Sequence, residues 1–226
     1  MARIPAAERR AELVAAAVRM IAAHGVEGAT TRRIAQEANA PLATLHYCFA
    51  SKEVLFAAVF EHVGQQYREV LTSNDIHGDM PTTARALLRG LLEWYVVNPE
   101  FGAATVELIS WAQRQEGEQG QTVYNDAFAT MRAILGAGAA AAGQPVDGTI
   151  IDELTYIVSV LSDGFALNWL VFTKRTAAEP QIELTVGVLD AWMATHLGDS
   201  SGSVAQPSTD SPEPTLRSLV SWVSVD

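Results

Sequence analysis

The proline at position 41 sits inside the stretch TRRIAQEANAPLATLHYCFASK, residues 31–52, and leaves it few ways to fold. Proline lacks a backbone donor and pushes the residue before it, Ala40, out of helical geometry, so a helix entering at Thr31 must stop near Ala38. Thr31 reads as the N-cap of that helix, with Ile34, Ala35 and Ala38 recurring on one face. Asn39 is the expected left-handed corner residue, and Pro41 is suited to open a second helix. There Pro41, Leu45 and Phe49 recur at a spacing of four and are expected to face inward. Leu42, Ala43, His46 and Tyr47 would then point outward, with Thr44 on the flank. Small Ala35 lets the two helices approach closely. A two-helix corner with an exposed second member is a helix-turn-helix, the device that places side chains in a DNA major groove.

The longer run GVEGATTRRIAQEANAPLATLHYCFASKEVLFAAVF, from Gly25 to Phe60, resembles the N-terminal DNA-binding domain of the TetR (tetracycline repressor) family of transcriptional regulators. The order carries the resemblance: a Gly ending the first helix, a Thr pair, Ile-Ala, the corner, Thr-Leu, an aromatic cluster, then Phe-x-Ser-Lys-Glu and an apolar helix. It implies that Thr31, Arg32 and Arg33 lie beside the DNA backbone, that Thr44 and Tyr47 face the groove or its walls, and that Lys52 contacts a phosphate. His46 takes the place of the family's phosphate-contacting Tyr, and Leu42 and Ala43 offer apolar contact, as to a thymine methyl. Asn39, Ala40 and Pro41 stand where the family carries Gly, Val and a capping Ser. With no Arg, Lys, Asn or Gln in the exposed helix, bidentate base reading from it is unavailable. Phosphate contacts and DNA shape are expected to carry the affinity.

An acidic chain, with net charge −11, looks wrong for DNA until the charge is divided. Residues 1–52 hold seven Lys and Arg against four Glu, a balance of +3, and the remainder holds eight basic against 22 acidic residues, a balance of −14. Positive charge therefore collects where the corner is, and an acidic body helps confine DNA contact to that end. The single cysteine, Cys48, rules out an intrachain disulfide framework and suits a reducing cytoplasm. Neither a signal peptide nor an uninterrupted run of 18 apolar residues is seen, so no membrane span is expected.

Ala6–His24 reads as the first helix, with Leu13, Ala16, Ala17, Met20 and Ile21 as its stripe and Gly25 as its stop. Ser51 caps a fourth helix whose apolar side includes Val54, Leu55, Ala58, Val59 and Val63. Thr72–Met80 is a loop by composition, and its Asp75, His77 and Asp79 lack the second His or Cys cluster that a metal site needs, so no metal or other cofactor is expected. Helices follow over Thr82–Val97, Pro99–Gln115, Gln119–Ala142, Gly148–Lys174 and Gln181–Leu197. The run GAGAAAAG at 136–143 lacks the Gly-Lys-Ser/Thr ending of a phosphate loop and reads as a helix end. The expected fold is all-α: a three-helix DNA-binding domain over 1–50, a helical-bundle body over 51–198, and a disordered tail over 199–226 with a short apolar end.

Metalloprotease, nucleophile-elbow and paired-cysteine motifs are absent, which argues against an enzyme built on a helical bundle. The resemblance implies a cytoplasmic homodimeric repressor that leaves its double-stranded operator when a small molecule binds the body. Control by a protein partner, or by oxidation of Cys48 beside the DNA contact, stays open as an alternative. Two stripes are expected at the dimer interface: Leu154, Ile157, Val158 and Leu161 on one helix, and Leu184, Val188 and Trp192 on the next. An effector site is expected among Trp94, Phe101, Trp111, Tyr124, Phe128, Asp163, Phe165, Asn168 and Trp169, where aromatics are dense and Asp163, Gly164 and Asn168 interrupt an apolar helix. Its ligand would be largely apolar, with a cationic or hydrogen-bonding group facing Asp163.

Overall fold

The structure is a computed structural model that describes residues 5–73, 78–114, 119–143, 148–172 and 178–197. The described residues form helices and short connections, with no strand among them, as an all-α chain requires. The expected apolar end of the tail, and Asp75 and His77, lie outside the described residues.

Helix α1 (Ala6–Gly28) runs past its expected stop, because Gly25 kinks it and does not end it. Gly25 has φ 67° and ψ 171°, a region open in practice only to glycine, and the turn beyond it buries Val26. Helix α2 (Thr31–Glu37) is capped by Thr30, one residue earlier than expected, whose hydroxyl accepts from the Arg33 N–H at 3.3 Å. Asn39 takes the left-handed conformation at φ 47°, and the Ala40 N–H returns to the Ala35 carbonyl at 2.8 Å, closing the corner. Helix α3 (Leu42–Cys48) starts on the Pro41 carbonyl and ends where Phe49 turns extended. Leu45 and Phe49 are buried as expected, but Pro41 remains exposed and Leu42 is drawn half inside against the same core. The helix axis is thus rotated slightly from the simple four-residue stripe.

Ser51 caps helix α4 (Lys52–Ser73), its hydroxyl accepting from the Val54 N–H at 3.3 Å. Asp79 likewise caps α5 (Met80–Val97) through the Thr82 N–H at 2.9 Å, so its carboxylate is committed to a helix end. Then come α6 (Pro99–Gln113), α7 (Gln119–Ala141), α8 (Gly148–Val171) and α9 (Glu179–His196), close to their expected bounds. Gly138 explains part of the glycine-alanine run: a Cβ there would strike the Thr83 hydroxyl at 2.6 Å, so glycine lets α7 lie against the start of α5.

Two apolar cores share the molecule. One joins α1, α2 and α3 to the first three turns of α4 and, across them, to Phe101, Ala104, Leu108 and Ala112 of α6. The other joins the end of α4 to α5, α7, α8 and α9. Helix α4 belongs to both, and Trp111 of α6 packs edge-on against Phe56 of α4 at 5.7 Å. The outer side of α9 is pinned to α5 by ion pairs from Arg85 to Asp190 and from Arg89 to Glu179 and Glu183. By length and composition α8 is apolar enough to cross a membrane. Its apolar excess has a different basis in the fold: one face is buried in the second core, and the opposite face carries exposed Tyr156, Val160 and Leu167.

Candidate nucleic-acid interface and internal cavity

Helix α3 presents an exposed face at the tip of the first core. Tyr47 is 84% exposed, and Ala43 and His46 are exposed beside it, while Thr44 and Leu42 flank them half-buried. Thr31, Arg32 and Arg33 open α2 on the neighbouring edge. The basic side chains differ in how free they are. Arg33 donates to the Gly28 carbonyl at 3.2 Å, and Lys52 donates to the Val26 carbonyl at 3.4 Å while its ammonium lies 4.9 Å from the Phe56 ring centre. Arg10 donates to the Cys48 carbonyl at 2.9 Å with its guanidinium over Phe49, and Arg19 pairs with Glu37 at 2.6 Å. Arg32 has no such tie to its own chain among the described residues, so a phosphate can engage it without displacing another bond. Cys48 is half-buried at the end of α3.

Beside the second core, α4, α5, α6, α7 and α8 line a partly open cavity of about 30 Å³. Its walls include Tyr67 and Leu71 of α4, Leu91 of α5, Thr105 and Ile109 of α6, Tyr124, Ala127 and Met131 of α7, and Ser159, Ser162 and Asp163 of α8. The Tyr124 hydroxyl donates to Asp163 Oδ2 at 2.8 Å. Thr105 and Ser162 direct their hydroxyls to carbonyls of their own helices, Phe101 at 2.9 Å and Ser159 at 2.9 Å. Among the described wall residues Asp163 is the one acidic or basic side chain, half-buried in a lining of apolar groups and the hydroxyls of Tyr67, Thr105, Tyr124, Ser159 and Ser162. Burial raises its pKa above the usual carboxylate range, partly offset by the bond from Tyr124. Burial also raises the pKa of the Tyr67 and Tyr124 phenols, with the negative Asp163 adding to the effect.

Of the nine residues expected at an effector site, the fold brings Tyr124 and Asp163 to this cavity. Phe128 stands behind Tyr124, edge-on at 6.0 Å. Phe165 and Trp169 are buried and stack on each other at 6.1 Å. Trp94, Phe101 and Trp111 serve the junction of the two cores: Trp94 meets Phe101 edge-on at 4.6 Å, and Trp111 sits on Phe56 and Phe60. Asn168 is exposed, so it needs no buried partner. Gly164 is exposed as well, and a Cβ there would meet nothing within 4 Å, so it does not make the cavity's space. Sequence reasoning missed Tyr67, Thr105, Ser159 and Ser162. Two serines on the inner face of an apolar helix were the available signal, since buried hydroxyls need a reason.

The expected interface stripes divide in a similar way. Leu154 and Val158 are fully buried in the protomer's own core, with Ile157, Leu161 and Trp192 partly buried against it. Leu184 and Val188 are exposed at 73% and 51%, next in the fold to the open side of α8. The buried stripe of a helix is the one its own chain uses first; the residues left over sit on the opposite face.

Comparison with known proteins agrees with this architecture. Residues 13–59 match the family model described as bacterial regulatory proteins, tetR family. Over 172 residues the chain is 33% identical to the HTH-type nicotine-responsive transcriptional repressor HdnoR of Paenarthrobacter nicotinovorans, covering 74% of this chain and 86% of that protein. Over 134 residues it is 27% identical to the HTH-type transcriptional repressor NicS of Pseudomonas putida KT2440, covering 58% of this chain and 63% of that protein. The fold resembles a crystal structure of a putative transcriptional regulator from Pseudomonas aeruginosa PAO1, with TM-score 0.66 and 19% identity over 85% of this chain and 93% of that one.

Proposed function

The chain belongs to the tetR family of bacterial regulatory proteins, and on that premise we propose that it holds an operator as a homodimer and releases it when a small, largely apolar molecule enters the cavity between α4, α5, α6, α7 and α8. It is a DNA-binding transcriptional regulator and not an enzyme. The observation that carries the release mechanism is the size of the cavity together with the residue in its wall. About 30 Å³ holds roughly two waters, whereas even benzene needs a cavity of about 150 Å³. An organic effector seated fully in this cavity would push the walls apart, and one wall is Tyr67 of α4, the helix shared by the two cores.

Tyr67 lies fifteen residues beyond Lys52, about 22 Å along the helix. A tilt of a few degrees pivoting near the cavity moves the head by about 2 Å over that lever arm, and packed cores respond to such displacements by switching arrangement. Two heads reading half-sites about 34 Å apart would lose register together.

For the interface, the exposed apolar faces of α8 and α9 support the reading best: Tyr156, Val160 and Leu167 on one, Leu184 and Val188 on the other. Gly164 and Gly187 lie on these faces with open space above them, which permits close helix crossings between copies. At the DNA, Arg32 is the leading phosphate contact, Thr31, Arg33 and Lys52 line the same edge, and Tyr47, His46, Thr44, Ala43 and Leu42 meet the groove. Such a regulator acts in the cytoplasm, where its operator is.

Anisotropy of a labelled fragment from the promoter beside its own gene tests the whole reading. Tight, salt-sensitive binding is expected, with loss on addition of an effector; the similar repressor's response to nicotine makes that compound the first to add. Binding that no compound relieves would favour control by a protein partner.

A further inference from the structure

We propose that the cavity selects small organic monocations carrying a flat ring, and that the charged nitrogen of such a molecule takes over the Asp163 oxygen now held by the Tyr124 hydroxyl. The inference rests on the reading of this cavity as the effector site. It goes further in assigning the charge and shape of the ligand and the bond it must break.

The chemistry of the wall points one way. A carboxylate has about four lone-pair sites, and Asp163 receives one hydrogen bond, from a neutral phenol at 2.8 Å. The Thr105 and Ser162 hydroxyls are turned to their own helices, Leu71, Leu91, Ile109, Ala127 and Met131 offer no polar atom, and the Tyr67 and Ser159 hydroxyls are neutral donors, so no cationic side chain among the described wall residues could pair with an anion. An anionic ligand would meet a like charge in a poorly screened site. A neutral donor would replace one hydrogen bond with an equivalent one. A cation alone gains a charge pair, in a half-buried wall where screening is weaker than in bulk water. Tyr67 and Tyr124 add aromatic rings to the same wall, and a cationic nitrogen is attracted to the face of such a ring.

The bond that must break also connects the cavity to the rest of the fold. Two residues after Tyr124, Asp126 pairs with Arg68 at 3.4 Å, and Arg68 is the neighbour of Tyr67 on α4. The beginning of α7 is therefore tied on one side to α8 through Tyr124–Asp163 and on the other to α4 through Asp126–Arg68. A cation that wins Asp163 releases the first tie and leaves α7 to move with α4. Tyr124 is in this sense a latch, and its hydroxyl competes with the ligand.

Calorimetry on the full-length protein, with two matched pairs of compounds, tests the proposal. Phenethylamine and 2-phenylethanol differ in charge at one atom; nicotine is protonated on its pyrrolidine at neutral pH, and cotinine, the lactam of the same skeleton, is not. At least one cation is expected to bind about tenfold or more tighter than its neutral mate. Asp163→Asn should erase that preference in a protein that still folds by circular dichroism, and Tyr124→Phe should tighten cation binding several-fold because the competing bond is gone. Equal binding of cation and neutral mate, a preference that survives Asp163→Asn, or no binding by any of the four would overturn it. Ser159→Trp, which fills the cavity, separates this failure from that of the underlying reading. If a neutral effector releases the operator and Ser159→Trp blocks it, the charge assignment falls and the cavity stands. If Ser159→Trp leaves release intact, the cavity reading falls as well.

Discussion

The core under the DNA-reading face and the core of the body differ in what they bury. The five buried polar residues among those described, Thr83, Thr105, Thr155, Ser159 and Ser162, all belong to α5, α6 and α8, and none comes from α1 to α4. The head is an apolar jigsaw around Leu13, Ile21, Ile34, Leu45 and Phe49, and five of its basic side chains, Arg9, Arg10, Arg19, Arg33 and Lys52, are bonded back to their own chain. The body accepts a void, a half-served carboxylate and hydroxyls folded onto their own helices. An all-apolar, tightly filled core favours one arrangement, because every alternative costs contacts. A core with a void and a competable hydrogen bond has a second arrangement within reach. Rigidity sits under the proposed DNA-reading face, and the capacity to change sits at the proposed effector cavity.

The comparison breaks most visibly at Phe49. Phe49→Ala removes a ring that is 1% exposed and is expected to cost about 3–5 kcal/mol, abolishing operator binding. Calorimetric effector affinity should persist; a parallel loss of it would mean that the two cores melt as one.

Gly25→Ala comes next. Any side chain there meets both a glycine-only backbone region and the Glu107 carboxylate, 3.2 Å from the new Cβ. A destabilisation of about 1–3 kcal/mol is expected, read in a urea titration of operator-binding competence.

Arg32→Ala should then lower the salt slope of operator affinity by about one and weaken binding to all sequences alike. Lys52→Ala should do so less, since its ammonium already serves the Val26 carbonyl, and Tyr47→Ala should mainly relax sequence preference. Affinities measured over a salt series on a library of sites would order the three.

A smaller effect sharpens the account of the body. Asp163 has a native pKa above that of the unfolded chain, so between the two values the folded protein binds a proton that the unfolded chain does not, and stability rises as pH falls through that window. Above the window the half-buried charge weakens folding. Tyr67 and Tyr124, the other titratable groups in this wall, stay neutral there because both are raised. Asp163→Asn is expected to raise the melting temperature at neutral pH and to flatten its dependence on pH between there and mildly acidic conditions.

Legibility in the sequence followed the physics of each feature. The corner could be read because Asn39 and Pro41 act on their own backbone, and the helix ends because Ser51 and other capping groups act within a turn. Long-range choices were not so local. Gly25 looked like a stop because a glycine that bends a helix and one that ends it are the same residue in sequence. Trp94, Phe101 and Trp111 were dense enough to suggest a binding site, yet which wall an aromatic joins depends on the neighbour its helix meets, here α1 and α4. Tyr67 lies outside the aromatic-dense segment and reached the cavity only because α4 passes through both cores.

A resting void with room for about two waters bears on time as well as on shape. On the proposed reading, an organic molecule larger than this space enters as the walls part, and at high ligand its rate of entry levels off at the frequency of that opening. Operator release would then lag behind exposure by an interval set by the protein. A regulator built this way would filter out any pulse shorter than that interval and answer a supply that outlasts it.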